Sequence, residues 1–135
     1  MVRQEFTFRG KSLKELSEMT IDQFASLVNS RARRSLKRGY PKQLLKKMEK
    51  ARKMISAGKE PRPIRTHWRD SIVIPAMVGL RFAVHRGNSF ETIEIKPLML
   101  GHYLGELVLT RKKLQHGKAG IGATKSSTAI ASARG

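Results

Sequence analysis

Cysteine is absent from the 135 residues, which excludes disulfides, thiolate metal sites and cysteine nucleophiles and fits a reducing compartment. Histidine is scarce. His67, His85, His102 and His116 stand 18, 17 and 14 positions apart, with no close pair to begin a zinc site, so no metal is expected. The longest apolar stretch, Ile72 to Leu80, is broken by Pro75 and Gly79 and falls far short of the roughly 18 residues a membrane span requires. The opening Met-Val-Arg-Gln-Glu lacks the apolar core of a secretory signal. No Ser/His/Asp grouping or carboxylate pair is spaced for catalysis, so neither an enzyme nor a cofactor is expected. These absences predict a soluble, intracellular chain independent of membranes, and its length is about that of one domain.

Acidic residues are few and basic ones many: 28 Lys and Arg against 10 Asp and Glu give a net charge of +18 and a pI near 11.2. Such a surplus repels itself and makes a polyanion the expected partner. It is also segregated. Residues 1–30 carry four bases and four acids, and residues 70–110 carry three and four, whereas residues 31–69 carry fifteen bases against two acids and residues 111–135 six against none.

Ser12-Leu-Lys-Glu15 and Thr20-Ile-Asp-Gln23 have the form of capping boxes, so a short helix is predicted after each. Ile21, Phe24, Ala25 and Val28 recur at helical spacing and are read as a face packed on the rest of the domain. A longer helix is predicted between Tyr40 and Ala57. Leu44, Leu45, Met48, Ala51 and Ile55 form its apolar stripe, with Lys42, Lys46, Lys47, Lys50 and Lys53 around it. Pro41 suits its first turn and Gly58 its stop. The run from Arg31 to Arg38 leads straight into this helix, and so dense a surplus exceeds what solubility asks for.

Pro61 and Pro63 exclude a regular helix from Lys59 to Arg65, which should run extended and present Arg62 and Arg65. Ser71–Pro75 reads as a short strand, and Leu80–His85 and Phe90–Ile95 alternate as two more, with Arg86-Gly87-Asn88-Ser89 as a hairpin turn. The expected fold is α+β: a small antiparallel or mixed three-stranded sheet packed with helices. Beyond Thr110, Gly117, Gly120 and Gly122 interrupt a stretch of many small residues without acids, which suggests a tail that orders along phosphates. Gly117-x-x-Gly120-x-Gly122 has neither a strand before it nor a helix after it, so it is not read as a nucleotide loop.

Four motifs occur in order: Arg34-Ser-Leu-Lys-Arg-Gly39, Thr66-His-Trp-Arg-Asp70, Ile74-Pro-x-Met-Val-Gly79 and Gly101-His-Tyr-Leu-Gly-Glu106-x-x-x-Thr110-Arg111. With them the chain resembles the S-nineteen family of small-subunit ribosomal proteins. Its N-terminal helices and its tail are similar to the archaeal and eukaryotic branch, S-fifteen-e in eukaryotes. The resemblance implies a structural constituent of the small subunit with three parts: an N-terminal helical extension over 1–30, an rRNA-binding core over 31–116 and a flexible basic tail over 117–135. It further implies binding of small-subunit rRNA in the head, a neighbour from the S-thirteen family, and a tail directed toward aminoacyl-site tRNA. The low Asn and Gln content and the missing Cys lean toward a heat-adapted archaeon.

The candidate RNA-binding residues fall in groups. Arg33, Arg34, Lys37 and Arg38 precede the long helix, and Lys46 and Lys47 lie on it. Arg62, Arg65, His67 and Arg69 follow on the extended strip, Arg81 and His102 come from the middle, Arg111, Lys112, Lys113 and His116 lead into the tail, and Lys118 and Lys125 lie in it. Lysines supply point charges for phosphate, while arginines can bind it bidentately or stack on bases. Trp68 is read as a half-buried core indole rather than a base contact. His102 with Glu106 is not read as catalytic, because its glycine neighbours suit close backbone approach. A DNA-compacting protein is the alternative that charge alone leaves open, and the motif series decides against it.

Overall fold

The computed structural model describes residues 6–113, so His116, Lys118 and Lys125 lie outside the described residues. The chain opens with a minimal hairpin of β1 (Thr7–Phe8) and β2 (Lys11–Ser12), closed by Arg9 and Gly10 at φ 53° and 79°. That left-handed pair is what a tight two-residue hairpin turn requires, and glycine supplies half of it without strain.

Both predicted capping sites start helices. Ser12 accepts from the Glu15 amide ahead of α1 (Leu13–Glu18). Thr20 and Gln23 exchange both bonds of a complete capping box ahead of α2 (Ile21–Leu27). Phe24, Ala25 and Val28 are buried, as the periodicity predicts. The basic run is itself a helix, α3 (Ser30–Lys37), with Asn29 accepting from the Ala32 amide at 2.9 Å. Ala32 and Leu36, four residues apart, face the core and turn the arginines between them outward.

The long helix α4 (Lys42–Ser56) begins after Pro41. It ends in a Schellman pair, in which Gly58 at φ 72° donates to Ile55 and Lys59 donates to Met54, both at 2.9 Å. Leu44, Met48 and Ala51 are buried, but Ile55 is 48% exposed. This corrects the expected stripe, because the last turn of α4 runs past the core.

The main sheet has the order β3 (Ile64–Thr66), β4 (Arg81–His85) and β5 (Phe90–Glu94). It is mixed: β3 pairs parallel to β4, and β4 pairs antiparallel to β5 across the predicted turn, where the Arg86 amide donates to Ser89 at 2.9 Å. The third strand is therefore Ile64–Thr66 and not Ser71–Pro75. Residues 71–74 are buried, yet they make only an isolated bridge, Ile72 to Tyr103. Their partner, a glycine-bearing segment, exchanges single backbone bonds with them: Val73 to His102 at 2.8 Å, Gly101 to Val73 at 3.0 Å and Leu104 to Ser71 at 2.9 Å. The chain then turns into a 3-10 helix at Pro75–Met77, where proline ends any ladder.

One hydrophobic cluster joins these parts, with Leu16 and Phe24 from the N-terminal helices packed with Leu44 and Met48 of α4 and Phe82 and Val84 of β4. Each such burial contributes about 1.5–3 kcal/mol. Tyr40 seals an edge of the cluster. Its hydroxyl donates to the Ile72 carbonyl at 2.9 Å, and burial raises its pKa well above the usual phenol range.

Candidate nucleic-acid interface

The sheet has two unlike faces. Alternation along the strands turns Ile64, Thr66, Phe82 and Val84 inward, and all four are buried. Arg65, His67, Arg81 and His85 point the other way, and none of them joins the hydrophobic cluster. Register aligns the outward residues in rows. Arg65 lies beside Ala83 and Thr92, Arg81 opposite Glu94, and His85 opposite Phe90 with His67 next to it just past the end of β3. The rings of this end row touch: His67 and His85 centroids are 4.4 Å apart, His67 and Phe90 5.1 Å, and His85 and Phe90 5.0 Å. The Arg65 guanidinium stands 5.3 Å over the Phe90 ring.

α4 borders this face. Lys47 Nζ donates to the Arg65 carbonyl at 3.2 Å, and between helix and strand lies a groove of about 520 Å³ lined by Lys47, Lys50, Met54, Pro61, Arg62, Pro63 and Arg65. On the other side of α4's start, Arg38, Lys42 and Trp68 line one shallow depression with Gly39, Tyr40 and Pro41. Trp68 is half-buried against the core, as read from the sequence. The structure thus brings together three groups that are separate in the sequence: the end of α3, the basic flank of α4, and the strip from Arg62 to Trp68.

The candidate cations divide by what already holds them. Arg34, Lys37, Arg38, Lys46, Arg62, Arg65, Arg111, Lys112 and Lys113 are exposed, and none makes an ion pair among the described residues. Arg33 is used within the fold. Its guanidinium donates to the carbonyls of Ala25, Ser26 and Val28 at 3.2, 3.2 and 3.3 Å, satisfying the end of α2. Arg69 is more fully used, donating to His85 at 2.6 Å, Gly105 at 2.7 Å and Val108 at 2.6 Å. It ties the end of β4 to the C-terminal segment.

Arg81 pairs with Glu60 at 2.6 Å. His102 Nδ1 lies 2.7 Å from Glu106, whose other oxygen is 3.8 Å from Arg31, while Arg31 covers the Tyr103 ring at 5.1 Å. Within the chain itself Gly105 packs closely, where an added Cβ would stand 3.0 Å from the Arg69 carbonyl oxygen.

Sequence reasoning passed over His85 and Phe90, although the hairpin turn it found already implies their pairing: a four-residue loop at 86–89 sets residue 85 opposite residue 90. The neighbour on the other side, His67, depends on the parallel register of β3, for which no local signal exists.

Compared with protein families, residues 34–116 match the family described as ribosomal protein S19.

Proposed function

This chain belongs to the ribosomal protein S19 family, whose role in the small subunit is structural, and on that premise we propose that it binds small-subunit rRNA in the head through the basic surface described above. The observation that carries this reading is the set of exposed cations that the fold leaves without acidic partners. Arg34, Lys37 and Arg38 continue past Trp68 and Lys42 to Lys47, Arg65 and Arg62. Cations held apart from carboxylates in this way lack counter-charge within the described residues, whereas a phosphate backbone supplies it along the whole strip. Arg33 and Arg69 position that surface by holding α2, β4 and the C-terminal segment together. Arg81 and His102, each beside a glutamate, add contacts at its margins.

In this reading residues 1–30 are an extension, 31–116 the RNA-binding core and 117–135 a basic tail. Arg111, Lys112 and Lys113 start the path of the tail, and His116, Lys118 and Lys125 continue it toward aminoacyl-site tRNA. A protein of the S-thirteen family is the neighbour, the setting is the cytoplasmic ribosome, and the branch is the archaeal one. The protein's contribution is charge neutralisation and shape, without chemistry of its own. A footprint of about ten phosphates gives a log–log salt slope of roughly −7 to −9.

Ultraviolet crosslinking of the tagged protein in its own cells, followed by sequencing of the attached nucleic acid, tests this. Reads concentrated on the head of small-subunit rRNA support it. Reads scattered over messages or chromosomal DNA defeat it in favour of an architectural DNA-binding role.

A further inference from the structure

We propose that the end row of the outer sheet face, His67, His85 and Phe90 with Arg65 beside it, is a stacking platform for one unpaired RNA nucleobase. The proposal rests on the RNA-binding reading and adds a base contact to a surface otherwise explained by phosphate contacts.

Three observations carry it. First, Phe90 lies outside the hydrophobic cluster that takes in nearly every other large apolar side chain of the sheet, so core packing does not account for it. Second, the strand register sets three rings side by side on the face opposite Ile64, Thr66, Phe82 and Val84, and the outermost, His67, is exposed. Third, the polar surroundings suit a nucleotide. Arg65 stands over Phe90 with no acidic partner, Lys47 is held at its carbonyl, and the nearby Glu91 is engaged by Arg86 at 3.4 Å. Aromatic rings flanked by cations on an open sheet face take a base on the rings and the adjoining phosphate on the cations.

Duplex RNA presents no base faces, so the occupant is a base splayed from a loop, a bulge or a strand end. The stacking is tolerant of base identity, since every base has a π face.

The test uses the full chain and a single-stranded oligouridine of roughly twelve nucleotides, compared with the same backbone carrying abasic positions at its centre. Binding is read by fluorescence anisotropy across a salt series. The base-bearing RNA should bind roughly 5- to 100-fold more tightly than the abasic one. His67→Ala and Phe90→Leu should reduce that advantage, His67→Tyr should keep it, and all three should leave the salt slope unchanged because no phosphate contact is lost. Iodouridine in the same oligonucleotide should crosslink to the peptides holding His67 or Phe90.

Equal affinity for the two RNAs, an unaltered preference in His67→Ala, or crosslinks confined to other peptides would overturn the platform while leaving phosphate binding standing. Failure of the wild-type chain to bind either RNA would overturn the RNA-binding reading with it.

Discussion

Replacing Arg69 by alanine separates cations that hold the fold from cations left for a polyanion. The side chain makes three charge-assisted hydrogen bonds to carbonyls of two otherwise distant segments, at 2.6–2.7 Å. Bonds to a charged donor contribute about 1.5–3 kcal/mol each, and three taken singly would sum to roughly 4.5–9 kcal/mol. They share one guanidinium and are not additive, and the half-buried carbonyls can regain water, so the net loss should be about 2–4 kcal/mol. For a domain of this size that lowers Tm by roughly 10–20 °C. The assay is thermal and urea unfolding of the full chain followed by far-ultraviolet circular dichroism, with sulfate present to screen self-repulsion. Arg69→Lys should recover only a minority of the loss, since an ammonium cannot reproduce the planar fork that spans three acceptors. Arg38→Ala, with no intramolecular ion pair to lose, should stay within about 0.5 kcal/mol of wild type. If Arg69→Ala unfolds like wild type and merely binds RNA less tightly, the division drawn between these arginines is wrong.

The same logic divides α3. Arg33→Ala should cost about 1–2 kcal/mol through the freed α2 carbonyls, whereas the triple change of Arg34, Lys37 and Arg38 to alanine should leave melting unaltered and reduce the RNA salt slope by roughly 2–3. Gly105→Ala drives a Cβ to 3.0 Å from backbone at Arg69 and should destabilise by about 1–3 kcal/mol, measured by urea midpoint. Tyr40→Phe loses the bond to Ile72, with an expected cost of about 1 kcal/mol at neutral pH. The raised phenol pKa of Tyr40 means that above about pH 10 the unfolded chain releases a proton that the folded chain keeps. Wild-type stability should therefore fall relative to Tyr40→Phe by about 1.4 kcal/mol per pH unit from there until the folded group titrates. Parallel stability curves for the two proteins through that range would refute it.

Much of the fold is legible because it is locally encoded. A hydroxyl three residues ahead of its amide partner starts α1 and α2, Gly58 ends α4, and period-two alternation with a glycine turn gives β4 and β5. The failures share a cause. Ser71–Pro75 has the composition of a strand but not the ladder, because pairing depends on a partner about thirty residues away whose glycines bend it out of register. Ile55 satisfies the helical period yet lies beyond the core, since periodicity cannot tell where the neighbouring sheet stops. α3 was hidden by its charge, with only Ala32 and Leu36 left to mark the buried face.

For the interface, the sequence by itself determined the sign, amount and placement of charge, the absence of thiols, and the ordered motifs that identify the family. These are properties of residue identity and short-range order, unchanged by how the chain folds. Which cations stay free, and which aromatic rings meet, only the tertiary structure decided. Arg33 and Arg34 are adjacent and chemically alike, yet one holds three carbonyls and the other faces solvent, because helical rotation of about 100° between them points their side chains at different neighbours. His67, His85 and Phe90 form one row for the same kind of reason: pairing across three strands fixes their separation, and sequence distance does not.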